Sequence, residues 1–270
     1  MTPYLPRGAS MPSPREELLV LLRGLNLGAM ASAVEDTALR AAKEGLSHEA
    51  FLLELARTER AAKSARRVER LRHHSGLLPG KNFRALDLNR FAPAIRMQIE
   101  RLRDGSFLTE ATNIIAIGRP GAGKSHVVCA LGHALVEQGH PVLFAPTGAL
   151  MQRLLAAKRD LRLPQELAKL DRFECLILDD IGYVQHDRDE MEVLFTLLAE
   201  RYERKSVAIT TNLVFSEWDR IFKDPMTTLA AIDRVVHHSV VLDLMAVESY
   251  RAKAAGAKSK TRAATEPAAV

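Results

Sequence analysis

The chain has 270 residues, 47% hydrophobic and 5% aromatic, with a formal charge of +5 and a pI near 9.3. No apolar run approaches the roughly 18 residues that a membrane span needs. The two cysteines, Cys129 and Cys175, exclude a disulfide framework or a cysteine-built zinc cluster and fit a reducing cytoplasm. What remains is a globular chain, one domain of about 150–200 residues plus an appendage, whose basic balance suits a polyanionic partner.

Residues 1–14 carry Pro3, Pro6, Pro12 and Pro14 and no signal-peptide core, so a disordered lead is expected. From Arg15 the pattern turns helical: Leu18, Leu21, Leu22 and Leu25 share a face, with a stop near Gly28. A second helix is expected from Ala31 to Glu44, ended by Gly45. Ser47 reads as the N-cap of a third, whose apolar face starts with Phe51, Leu52 and Leu55. That helix then turns basic. Between residues 57 and 74, seven lysines and arginines face only Glu59 and Glu69. Arg60, Lys63, Arg67 and Arg70 recur at three- and four-residue steps and so share a side. Such a face is either merely solvated or follows nucleic-acid phosphates, and the charge excess favours the second. No aromatics interleave, so backbone contact is expected rather than base stacking. Leu78-Pro79-Gly80 breaks the helix, and the domain boundary is expected near residue 80. Residues 83–92 read as a connector, followed by an amphipathic helix from Ile95 to Leu102.

The second domain is expected over residues 81–252. Thr112 to Ile117 is short, apolar and β-branched, a buried strand. It runs into Gly118-Arg119-Pro120-Gly121-Ala122-Gly123-Lys124-Ser125, which matches G-x-x-x-x-G-K-[ST], and then into a helix from Ser125 to Gln138. The glycines let the loop curl with its N–H groups inward, and the next helix adds its positive end. ATP is the expected ligand: Lys124 on the β- and γ-phosphates, the hydroxyl of Ser125 on Mg²⁺, His126 next in line. Strands are then expected at Pro141–Ala145, Phe173–Leu178, Ser206–Asn212 and Val240–Leu244. Helices are expected at Thr147–Arg159, Leu163–Leu170, Asp187–Glu203, from Ser216 through Trp218, and at Thr227–His238. The alternation implies an α/β fold with a doubly wound, largely parallel five-stranded sheet. A flexible tail is expected over residues 253–270.

Asp179-Asp180 closes the third strand as a Walker B pair would, at the edge where open α/β sheets bind ligands. Asp179 is expected to hold Mg²⁺, directly or through water, and Asp180 to orient or deprotonate the attacking water. Asn212 ends the next strand and could hold that water or a γ-phosphate oxygen; it could also be an ordinary turn residue. Arg234, beside Asp233 on a late helix, could reach a neighbouring subunit's γ-phosphate or form a surface ion pair. Arg251 is the other candidate for that task. Arg153, Lys158, Arg159 and Arg162 could face a central channel if the protein forms a ring or spiral, although each taken singly reads rather as an ordinary surface cation.

These residues together resemble the IstB family of transposition helper ATPases, AAA+ proteins close to the DnaC helicase loaders, over roughly residues 15–252. The resemblance rests on Leu27-Gly28-Ala29-Met30, Gly118 to His126 with Ala130-Leu131-Gly132-His133-Ala134, Leu178 to Gly182, Asp224-Pro225, and Leu229 to His238. It implies an ATP-dependent homo-oligomer on duplex DNA that recruits or stimulates a partner transposase, with a helical N-terminal domain for DNA or partner contacts. By the same likeness Arg234 becomes the arginine finger and Asn212 the sensor. A replicative helicase loader, the same engine with a different client, is the alternative reading. A scaffold that has lost hydrolysis is the third reading, which intact Lys124, Ser125, Asp179 and Asp180 oppose.

Overall fold

The computed structural model describes residues 13–182, 188–218 and 225–250. Most of the expected lead, the expected tail and Arg251 lie outside the described residues. Two compact units divide between Glu69 and Arg70.

The first unit is helical. Helix α1 (Pro14–Gly24) starts from a capping box in which Glu16 N–H donates to Ser13 Oγ at 3.3 Å and Ser13 N–H donates to Glu16 Oε2 at 2.8 Å. The lead therefore gives way to helix at Pro14. Helix α2 (Gly28–Glu44) ends at Gly45, which takes a left-handed φ of 67°. Helix α3 (His48–His74) begins after Ser47, whose Oγ accepts the Ala50 N–H at 3.2 Å. Leu22, Ala31, Val34 and Leu55 form the core, joined by Leu19, Leu27, Met30 and Phe51. Of the leucines expected to share an apolar face of the first helix, Leu22 is buried and Leu18, Leu21 and Leu25 are exposed. Leu27-Gly28-Ala29-Met30 opens α2 rather than lying inside the first helix. No side chain of its own caps α2. Glu59 of α3 does so instead: nearly buried, it accepts the Met30 N–H at 2.9 Å and pairs with Arg66 at 3.0 Å.

The second unit is a five-stranded sheet of β1 (Asn113–Ile117), β2 (Val142–Pro146), β3 (Cys175–Asp179), β4 (Ser206–Thr211) and β5 (Ser239–Asp243). Every pairing is parallel and the order is β2-β3-β4-β1-β5. β1 and β4 are buried along their whole length, which fits their apolar or β-branched sequences after an opening Asn113 and Ser206. Helices α4 (Pro93–Leu102), α5 (Lys124–Glu137), α6 (Thr147–Arg159), α7 (Leu163–Leu170), α8 (Arg188–Arg201) and α9 (Pro225–Val236) accompany the strands. One core packs Ile115, Leu176, Val207 and Ile209 of the sheet with Leu150, Leu154, Leu194 and Leu197 of α6 and α8.

The unit begins earlier than the Leu78-Pro79-Gly80 break suggests. The Phe144 N–H on edge strand β2 donates to Ser75 O at 2.7 Å, and Leu77 packs where a Cβ on Gly132 would stand 2.7 Å from it. Those contacts tie residues from Arg70 onward to the sheet. Ser216 lies in a single 3₁₀ turn, Phe215–Glu217, and the fully buried Trp218 follows; the rest of that expected helix lies outside the described residues. Helix α9 starts and stops two residues before its expected limits, because Ser239 already pairs with Asn113.

Candidate nucleotide-binding site

The sheet delivers β1, β3 and β4 side by side, so the loop after Ile117, the acids at Asp179-Asp180 and Asn212 share one edge. The loop's shape depends on its glycines. Gly121 and Gly123 sit at φ +84° and +99°, in the left-handed region that side chains rarely adopt. A Cβ on Gly118 would stand 3.0 Å from the backbone oxygen of Leu244. Gly123 precedes α5, whose N-terminus has neither a side-chain cap nor an acid in its first turn. A 14-residue helix that starts this way offers N–H groups and a positive dipole end to an anion.

The loop faces a cavity of about 770 Å³, a volume suited to a nucleotide. Pro120, Gly121, Gly123, Lys124, Ser125, His126, Asp180 and Asn212 all line it. Gly118, Arg119 and Ala122 build the loop behind that wall. The Lys124 ammonium is nearly buried and donates to Gly118 O at 2.7 Å and Arg119 O at 3.3 Å. Phosphate oxygens are the stronger acceptors for it. Burial holds the His126 ring below its ordinary value of 6.5, and its Nε2 donates to Asn82 O at 3.1 Å.

The Walker B pair divides its tasks. Asp180 lines the cavity, with its backbone at φ +65°. Asp179 does not line it; its Oδ1 accepts the Thr210 hydroxyl at 2.7 Å. The same hydroxyl accepts the Asp180 N–H at 2.8 Å. Asn212 presents a buried Oδ1 that has no hydrogen-bond donor among the described residues, an acceptor that a water in the cavity would satisfy. The set Ser125, Asp179 and Asp180 is all oxygen, which fits Mg²⁺.

Arg234 is elsewhere. Its guanidinium stacks on Phe195 of α8, 4.6 Å from the ring centroid, and its buried Nη1 has no acceptor among the described residues. It does not line the cavity of its own chain. On α3, Arg60, Lys63, Arg67 and Arg70 are exposed. Lys158 pairs with Glu192 at 2.8 Å, Arg162 pairs with Asp160, Arg153 pairs with Glu166 at 2.8 Å, and Arg159 is exposed.

Two features of the site carry no local motif. Thr210 is one. The other is the chain's return to the loop at residues 248–250: the Tyr250 N–H donates to Gly121 O at 3.0 Å, and Arg90 donates to Glu248 O at 2.5 Å while its guanidinium lies 5.3 Å from the Tyr250 ring centroid.

Residues 20–258 match the family model described as IstB-like ATP binding protein. The chain belongs to that family. The IstB-like chain is 42% identical over 237 residues to an insertion sequence ATP-binding protein of Sinorhizobium fredii, covering 87% of this chain and 79% of that one. It is 36% identical over 238 residues to the IS21 ATP-binding protein of Pseudomonas aeruginosa, covering 88% and 89%. Among solved structures it is similar to AMPPCP-bound DnaA from Aquifex aeolicus, at a TM-score of 0.54 and 15% identity, over 68% of this chain and 56% of that one. It is likewise similar to the DnaC helicase loader, at 0.50 and 19%, over 58% and 95%. These two share the fold, which is that of AAA+ ATPases. The IstB-like chain is an ATPase of that class.

Proposed function

We propose that this IstB-like protein is an ATP-dependent regulator of DNA transposition. It assembles as an oligomer on duplex DNA in the cytoplasm, recruits or stimulates a partner transposase, and resets the assembly by hydrolysing ATP. The observation that carries the reading is the family match over residues 20–258 and the kinship with proteins named for insertion sequences, joined to a cavity that Lys124, Ser125, Asp180 and Asn212 line together. Nothing in the site favours a helicase as client, since the likeness to the DnaC loader is one of fold.

In this reading, the loop N–H groups and Lys124 hold the phosphates in the ground state. Ser125 and Asp179 hold Mg²⁺, which would supply charge neutralisation on the phosphates. Asp180 takes a proton from the attacking water, and Asn212 Oδ1 accepts that water's other hydrogen, which fixes its direction. Arg234 serves a neighbouring subunit's site, where transition-state charge would meet its Nη1, unpartnered among the described residues. The exposed row Arg60, Lys63, Arg67 and Arg70 follows duplex phosphates. Lys158, Arg159 and Arg162 form a second set, of which Lys158 and Arg162 must first leave their carboxylates.

The test mixes two variants. Lys124→Ala serves as the control that loses ATP. Asp180→Asn and Arg234→Ala are each expected to bind ATP and lack turnover, and their mixture should recover activity because one interface type then carries both working groups. Absence of rescue at every ratio overturns action in trans. In parallel, duplex binding across a salt series should require ATP and become less steep in a quadruple alanine variant of the α3 row, by roughly 0.9 log units for each phosphate no longer neutralised. An unchanged slope removes that row from the DNA interface.

A further inference from the structure

We infer that Thr210 is a positioning residue for hydrolysis: one hydroxyl sets both acids of the Walker B pair. The inference rests on the assignment of Asp179 to Mg²⁺ and Asp180 to the water.

Thr210 sits inside β4, fully buried, beside β3 in the sheet. A hydroxyl has one proton and two lone pairs. Here the proton goes to Asp179 Oδ1 at 2.7 Å, and a lone pair receives the Asp180 N–H at 2.8 Å. The Thr210 carbonyl also accepts the next amide, Ile181 N–H, at 3.0 Å. From the other side, the Thr147 hydroxyl donates to Asp179 O at 2.9 Å. The end of β3 is therefore held on a strand that lies 30 residues away in sequence.

The two hydrogen bonds of the Thr210 hydroxyl have separate consequences. The proton donated to Oδ1 takes up one lone pair of one oxygen and restrains the rotation of the carboxylate, which leaves Oδ2 as the oxygen outside this bond that would serve a metal or its waters. Outer partners of this kind orient metal ligands, and their removal typically costs 10- to 100-fold in metal affinity or activity. The bond from Asp180 N–H sustains a backbone at φ +65°, which an aspartate adopts only when its surroundings hold it there. That turn carries the Asp180 side chain onto the cavity wall with Lys124 and Ser125. A β-branched residue chosen only for strand packing would be served equally by valine. Valine would leave Asp179 Oδ1 and Asp180 N–H without their partner.

The test compares Thr210→Val with Thr210→Ser in the full chain, with Asp179→Asn and Asp180→Asn measured alongside. Readouts are ATP affinity, kcat against KM, the Mg²⁺ concentration for half-maximal rate, Mn²⁺ binding to the ATP complex by electron paramagnetic resonance, and the melting temperature. Thr210→Val is expected to keep ATP affinity within about threefold, to lower kcat about 10- to 100-fold, and to weaken Mn²⁺ binding. Thr210→Ser should restore both. Thr210→Ala, which removes the hydroxyl without adding bulk, gives the same reading if valine strains the strand. Wild-type kcat and Mn²⁺ affinity in the hydroxyl-free variants overturn the inference, and so does a serine variant as defective as valine. If Asp179→Asn leaves the metal dependence unchanged, the metal assignment itself fails and the inference falls with it. If Asp179→Asn and Asp180→Asn behave as assigned while Thr210→Val is silent, only the role of Thr210 is lost.

Discussion

Gly121→Ala probes the closure of the phosphate loop by the segment at residues 248–250. Two costs can be worked from the structure. Alanine at φ +84° is strained by about 1–2 kcal/mol relative to glycine. The added Cβ would lie 2.1 Å from Ser249 Oγ and 3.1 Å from Ser249 Cβ. The hydroxyl can turn away, but the Cβ moves only with its backbone. That movement breaks the Tyr250 N–H to Gly121 O bond, 3.0 Å in the structure and worth about 1 kcal/mol net. The sum is about 2–3 kcal/mol, or roughly 30- to 150-fold in an equilibrium constant.

Where the cost appears depends on how the loop responds. If the loop relaxes locally, ATP must rebuild it and the loss falls on affinity. If it does not relax, the loss falls on stability. A fluorescent-nucleotide titration and a melting curve on the same preparation capture both. The double variant Gly121→Ala/Ser249→Gly removes the Ser249 Oγ and Cβ and leaves Cα at 3.4 Å, an ordinary contact. It should regain about 1 kcal/mol, roughly fivefold, since the φ strain remains. ATP affinity within threefold of wild type with an unchanged melting temperature refutes the reasoning. A double variant no better than the single one refutes the Ser249 part.

Two further outcomes are expected. The carboxyl of Glu59 is held below its ordinary value near 4.5, chiefly by the Met30 N–H and further by Lys63 and Arg66, against the opposing effect of burial. Its stabilisation is present above that value and lost as pH falls through the lowered one; Glu59→Gln should lower helical stability in denaturant near neutral pH and flatten this acid dependence, and an unchanged pH profile would remove Glu59 as the cap of α2. Burial pushes the Cys129 and Cys175 thiols up, to about 11 and about 12, so the native chain should resist alkylation in mildly alkaline buffer and label at both positions once unfolded; rapid labelling of the native chain would contradict the burial of α5 and β3.

The parts of this protein that were legible in its sequence are those whose chemistry is local. Gly118 to Ser125 encodes its own turn, its own anion site and the start of α5, so the motif reads at sight. The apolar run ending in Asp179-Asp180 does the same for β3. What escaped reading depends on strands that meet only after folding. Thr210 looks like any β-branched strand residue until β4 lies against β3. Arg90 and Glu248 are 158 residues apart, and no periodicity announces their bond. Leu78-Pro79-Gly80 follows a helix that has already ended at His74, and the edge of β2 takes up Ser75 before the tripeptide is reached. The leucines of α1 differ in burial for a related reason: periodicity identifies an apolar face, while burial depends on how much of it a small three-helix unit can cover.

The placement of Arg234 follows from the same sheet. Asn113 opens β1, and its side chain donates to Val235 O in the last turn of α9 at 3.1 Å while accepting the Val207 N–H at 2.8 Å. That one buried amide joins β1, β4 and the turn that carries Arg234. It does so at the start of both strands, whereas the phosphate loop and Asn212 leave from their far ends. Asn113 to Ile117 is four steps of about 3.3 Å, roughly 13 Å of rigid strand. Closing that distance within one chain would require breaking the amide's hydrogen bonds and lifting the guanidinium off Phe195. Both strands are hydrogen-bonded on each side, so neither can shorten or slide. An arginine fixed at that end of the sheet is poorly placed for its own nucleotide and free to meet another. If Arg234 acts in trans as proposed, this placement is the geometric reason to expect hydrolysis to depend on assembly.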